Sequence, residues 1–211
     1  MSAAMSSSST VITGMDLREH FLSAVTVAIA NQRVDVEEET VFYLVNMLAY
    51  FSRSDRLFDE TADGVVLQPL AMIYAKAVQA RSMEDRHRAF KHLGDVALLI
   101  AGMFADSLNR KLVDVDYYIA MGSSAYACLS DEARQSVRAQ AFKAIFTELS
   151  RKFQRLVDVL AEVSERSQLG ASNDLMRLYE LWLRTGSPRA ASKLRSLGLE
   201  PIQSAFAGAR N

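Results

Sequence analysis

Little in this chain breaks a helix, and little could cross-link one. Among 211 residues there are three prolines and nine glycines, too few for the closely spaced turns that an all-β domain needs. A single cysteine, Cys128, excludes an internal disulfide. It lies between Ala127 and Leu129, where a buried, inert thiol in a reducing cytoplasm is expected. Neither sign of charge dominates: 24 basic side chains face 25 acidic ones, for a net charge of −1. No global field therefore draws the protein towards nucleic acid or an anionic membrane. Long hydrophobic runs are missing as well. The uncharged stretch from Val96 to Ala105 is about half of the ~20 residues that a membrane-spanning helix requires. The opening MSAAMSSSST has neither the positive start nor the apolar stretch of a secretory signal, and reads as a disordered leader over residues 1–13. No serine stands in a G-x-S-x-G turn and no phosphate-binding glycine loop is present, so those two motif-bearing enzyme classes lose support.

What the chain has is apolar content in helix-forming residues. Half of it is hydrophobic, mostly Ala, Leu and Met rather than β-branched runs, which favours helices. Asp16 with Glu19 opens a first helix with Leu17, Phe21, Val25, Ala28 and Ile29 on one face, ending near Asn31. Asp35 with Glu38 repeats the capping pattern for a second helix to about Arg53, with a stripe of Phe42, Val45, Leu48 and Ala49. A loop follows over SRSDRLFDETADGVVLQ. Pro69 suits the start of a third helix carrying Leu70, Ile73, Tyr74, Ala77 and Val78, and Ser82 with Asp85 starts a fourth from about Met83 to Asn109. Asp114 or Asp116 caps a fifth. Ser130 caps a long helix to about Gln168 with a kink near Leu149 to Ser150. A seventh helix over Asp174 to Thr185 and a short eighth between Pro188 and Gly198 complete an all-α, single compact bundle of seven to eight helices. No repeat or linker divides the chain, so one helical domain over residues 14–198 is expected, with a weakly ordered tail from 199 to 211.

The centre of this bundle is the helix near residues 83–109. Its second half is apolar nearly all round, as in a helix enclosed by neighbours. Gly94, Ala97, Ala101 and Ala105 form a seam of small residues. In the fifth helix Ile119, Gly122 and Tyr126 share one face, and Ala120, Ser124, Ala127 and Cys128 form a small face. The two helices are therefore expected to pack closely as an antiparallel or steeply crossed pair.

Chemistry is confined to a few places. Glu84 and His87 have the E-x-x-H spacing of di-iron bundles, but such a site needs two of these steps and two further carboxylates. Set among Arg81, Arg86, Arg88 and Lys91, the step reads as a solvated helix end, and no metal site is expected. His92 and Asp95 stand three apart at the mouth of the buried run, where they can pair or do general-base work. Asp106, Asn109, Arg110, Lys111, Asp114, Asp116, Tyr117 and Tyr118 form the densest polar group, able to cap backbone amides or to orient an anion. The candidate ligand or partner rim is thus His92, Asp95, Asp106, Arg110, Asp114, Asp116, Tyr117 and Tyr118. The C-terminal piece carries Arg184, Arg189, Lys193 and Arg195, but outside the frame of a helix-turn-helix.

The segment LGDVALLIAGMFADSLNRKLVDVDYYIAMGSSAY (Leu93 to Tyr126), with NQRV at Asn31 to Val34 and FYLVNMLAYF at Phe42 to Phe51, resembles a family of bacterial helical proteins of unknown function. The resemblance covers most of the chain after the leader. It implies a bacterial, cytosolic protein and brings no activity or ligand residues with it. The function expected is that of a non-enzymatic helical module that binds itself or another protein, with no cofactor and no membrane partner. Apolar residues on the long sixth helix, or around Tyr179 and Trp182, would be the contact surface. Two alternatives stand beside it: a small-ligand or metal-binding protein or enzyme using the 92–118 polar rim, and a DNA-binding regulator using the C-terminal basic helices.

Overall fold

Residues Val96 to Met103 have no polar side chain to present to water, and in the computed structural model they are buried on every side. The structure describes residues 14–52, 59–61, 64–66, 68–104, 114–132, 137–166, 182 and 187–196. Within them lie eight helices: α1 (Gly14–Gln32), α2 (Glu38–Phe51), α3 (Leu70–Gln79), α4 (Met83–Met103), α5 (Val115–Glu132), α6 (Val137–Arg151), α7 (Phe153–Arg166) and α8 (Pro188–Ser196). The expected all-α bundle is what the chain forms. α4 is its axis, packed against α3, α5 and α7, while α1 lies on α2 and α7, and α6 on α5.

The expected α4–α5 pair is the most extensive helix contact among the described residues. Small residues set the approach. A Cβ added to Gly94 would stand 2.6 Å from Cε1 of Tyr126, and one added to Gly122 would stand 2.8 Å from Cβ of Ala97 and overlap the Phe153 ring. Residues 94 and 97 thus meet 126 and 122, an antiparallel register. The glycine of α5 makes the close approach, whereas Ala120 and Ser124 of its predicted small face are exposed. Gly102 serves α7 instead, where its Cβ would be 2.5 Å from Cβ of Leu160.

Several boundaries differ from the sequence expectation, each for a local reason. Ser82 caps α4 as expected, its Oγ accepting from the Asp85 amide at 3.0 Å. The helix stops at Met103, because Phe104 leaves the helical region (φ −128°, ψ 23°), and Ser164 of α7 donates to the Met103 carbonyl at 3.1 Å. α2 begins after Glu37 without a side-chain cap of its own. Glu148 of α6 instead accepts from the Glu37 amide, 3.3 Å from each carboxylate oxygen, and Lys152 ties Glu148 down at 2.8 Å. Ser130 does not cap a sixth helix but lies in the last turn of α5, bonded through Oγ to Thr147 Oγ1 at 2.5 Å. The long helix is broken at Lys152, two residues past the expected kink. The expected loop after α2 contains a short antiparallel hairpin, β1 (Asp59–Thr61) with β2 (Gly64–Val66), in the register Asp59 to Val66 and Thr61 to Gly64. The seventh helix expected at 174–185 lies outside the described residues except Trp182, which is buried in the core.

Candidate functional site

Asp95 is the one charged side chain that the described core encloses, at 4% exposure. A carboxylate held out of water must be compensated there, and three elements do it. Tyr43 of α2 donates its hydroxyl to Oδ1 at 2.5 Å, Tyr126 of α5 donates to the same oxygen at 2.8 Å, and Lys91, one turn back on α4, donates to Oδ2 at 2.6 Å. The lysine ammonium also sits 5.0 Å from the centre of the Tyr43 ring, a cation–π contact. Phe146 stacks on Tyr126 at 5.8 Å and meets Tyr43 edge-on at 5.8 Å, so α6 closes the cage. Burial, followed by the Asp95 charge, raises the phenol pKa values of Tyr43 and Tyr126 well above 10.0. Both phenols therefore stay protonated as donors to the carboxylate.

The cage is the floor of an open cleft of about 780 Å³ between α1, α2, α4 and α6. Leu17 and Arg18 of α1, Asn46, Met47 and Tyr50 of α2, and Phe142 of α6 form its walls. Phe142 and Tyr50 remain substantially in water. Arg18 forms no ion pair with any described residue.

A second polar group joins the other ends of α4 and α5. Glu132 takes Arg86 at 2.8 Å and His87 at 3.0 Å, and the Arg86 guanidinium lies 4.8 Å from the Phe90 ring. Glu84, the other half of the E-x-x-H step, turns to Arg88 at 2.9 Å. The step thus sends its two side chains to different partners, and no group of three metal-ligating side chains occurs among the described residues. Cys128 nearby is half-buried; burial first, and then the Glu132 charge, push its thiol pKa up, which disfavours a reactive thiolate.

The predicted rim is divided by the fold. Asp95 is in the cage, and the His92 ring lies against Phe51 with centroids 6.2 Å apart. Asp114, Asp116 and Tyr117 are exposed at the start of α5, about two to three turns further along the α4–α5 seam by the register above. Tyr118 is half-buried and meets Tyr117 edge-on at 5.7 Å. Asp106 and Arg110 lie outside the described residues, as does Tyr179. Arg189 and Arg195 are exposed on α8, while Arg184 falls outside the described set.

Sequence reasoning placed Asp95 but missed Tyr43 and Tyr126, which come from 52 and 31 residues away. The i, i+4 spacing of Lys91 and Asp95 was the available signal. Helical phase also misled at α2, where Phe42 of the predicted stripe is exposed and Tyr43 faces inward.

Among the described residues no helix is long and apolar enough to cross a membrane. Comparison with protein-family models, with characterised proteins and with solved structures finds no match. The resemblance to bacterial helical proteins draws no support from them.

Proposed function

We propose that the protein is a non-enzymatic helical module that works by associating with a second copy of itself, through the corner where α3 turns into α4. The observation that carries this reading is the exposure of large apolar side chains at that corner. Tyr74, Val78 and Met83 are 47–58% exposed, although α3 buries Leu70, Ile73 and Ala77 only one helical step away. Grouped apolar side chains left in water mark contact surfaces. Tyr74 is held edge-on to Phe90, so part of the surface is already ordered. The corner also carries both signs of charge, with Lys76 and Arg81 beside Glu84 and Asp85. A two-fold contact brings each patch against its own copy, so a mixed patch can pair opposite charges across the axis.

Of the surface expected around Tyr179 and Trp182, the Trp182 ring is buried and Tyr179 lies outside the described residues. Asp95 supports a non-enzymatic reading, because both of its oxygens are engaged by donors within the fold. One half-buried thiol is in keeping with a reducing cytoplasm. Light scattering on the native protein tests the proposal. A dimer is expected for the wild type and a monomer for Val78→Asp, with unchanged helicity in both. A wild type that stays monomeric at high concentration, or a Val78→Asp variant that still dimerises, overturns it.

A further inference from the structure

We infer that the cleft above Asp95 is a binding site for a small aromatic carboxylate. This site shares no residue with the proposed α3–α4 contact and stands or falls independently of it. Its volume of about 780 Å³ lies within the ~300–1,000 Å³ usual for small-molecule pockets. Three aromatic side chains, Tyr43, Tyr50 and Phe142, come to it from two helices. Phe142 is stacked on Phe146 at 6.1 Å, which fixes its ring although it is 41% exposed. Planar, pre-ordered rings of this kind favour a flat aromatic guest.

Charge selects the guest's sign. The cleft holds two cations, Arg18 and Lys91, and one acid, Asp95. Asp95 is already paired with a cation, because Lys91 holds Oδ2 while two hydroxyls share Oδ1. That pairing cancels one positive charge and leaves Arg18 uncompensated by any described residue. Lys91 spends one N–H on Asp95 while its side chain remains 46% exposed, so further donors are left for an anion. Arg18 at the wall offers a fork that matches a carboxylate. One uncompensated cation suits a monoanion better than a polyphosphate.

Calorimetry on the full chain with 2-naphthoate and its neutral counterpart 2-naphthamide tests the inference. Naphthoate should bind at least about tenfold more tightly than the amide, and Arg18→Gln should remove most of that difference, as expected for loss of one charge-assisted contact. Phe142→Ala should weaken both compounds. Arg189→Gln, on α8, which contributes no residue to the cleft, should change neither. Equal binding of the two compounds, no binding of either, or an Arg18→Gln variant that still prefers naphthoate overturns the inference. So does a cleft whose amide resonances move only with an acidic, tyrosine-containing peptide, which would assign it to a protein partner.

Discussion

Asp95 and Glu132 both join α4 to α5, the first reaching Tyr126 from α4 and the second reaching back from α5 to Arg86 and His87. Asp95 is enclosed and takes its donors from three helices, and the Tyr126 phenol among them is completely buried, with no water to replace its bond. Glu132 lies nearer the rim, 21% exposed, and its partners Arg86 and His87 are 31% and 40% exposed, although its Oε2 and the facing His87 Nε2 are themselves buried. A polar contact of the same kind is thus a structural anchor in one place and a surface pairing in the other. Burial makes the difference, because a donor stranded in the core loses its partner outright whereas one at the rim turns to water.

Breaking the buried side should have the largest effect. Asp95→Ala leaves the Tyr126 hydroxyl without its acceptor inside the core and should cost about 3 kcal/mol in urea unfolding. Gly122→Ala attacks the same interface through shape, since the new methyl meets Ala97 and the Phe153 ring. Chemical denaturation should report a loss of about 2 kcal/mol.

A smaller effect is expected from alkaline pH. The folded state raises the pKa values of Tyr43 and Tyr126 above 10.0, so their contribution is fully present below that value and is lost as pH rises through the folded pKa values. Stability of the wild type should therefore fall above about pH 10, and Tyr126→Phe, with one such phenol fewer, should fall less steeply. Parallel pH profiles for the two proteins would mean that Tyr126 is not sequestered. The smallest effect belongs to the rim: Glu132→Gln should barely move the melting temperature, and the difference from wild type should shrink further in high salt. A Glu132→Gln loss matching that of Asp95→Ala would erase the contrast between the two carboxylates.

The same contrast explains how much was legible in the sequence. Helical period, the Ser82 cap and the small residues of α4 are local signals, and they gave the bundle, the start of α4 and its close pairing with α5. The cage around Asp95 is built from residues far apart in the chain, and its phenols sit in helices that read as ordinary apolar faces. Sequence proximity therefore pairs Asp95 with His92, and nothing local links it to Tyr43 or Tyr126. Ends of helices differ from the sequence expectation where the deciding partner comes from another element, as with Glu148 at the start of α2 and Ser164 at the end of α4. Exposure at the α3–α4 corner was likewise invisible, because Tyr74 and Val78 continue the apolar period of Leu70, Ile73 and Ala77 and lie just beyond its buried edge.

The anchoring role of Asp95 is tested most directly by a double-mutant cycle in urea between Asp95→Ala and Tyr126→Phe. If the carboxylate acts through the phenol, the second substitution should cost little once the first is present, giving a coupling energy of about 1–2 kcal/mol. Additive losses, with coupling near zero, would contradict the buried cage and leave Asp95 without the structural role assigned to it.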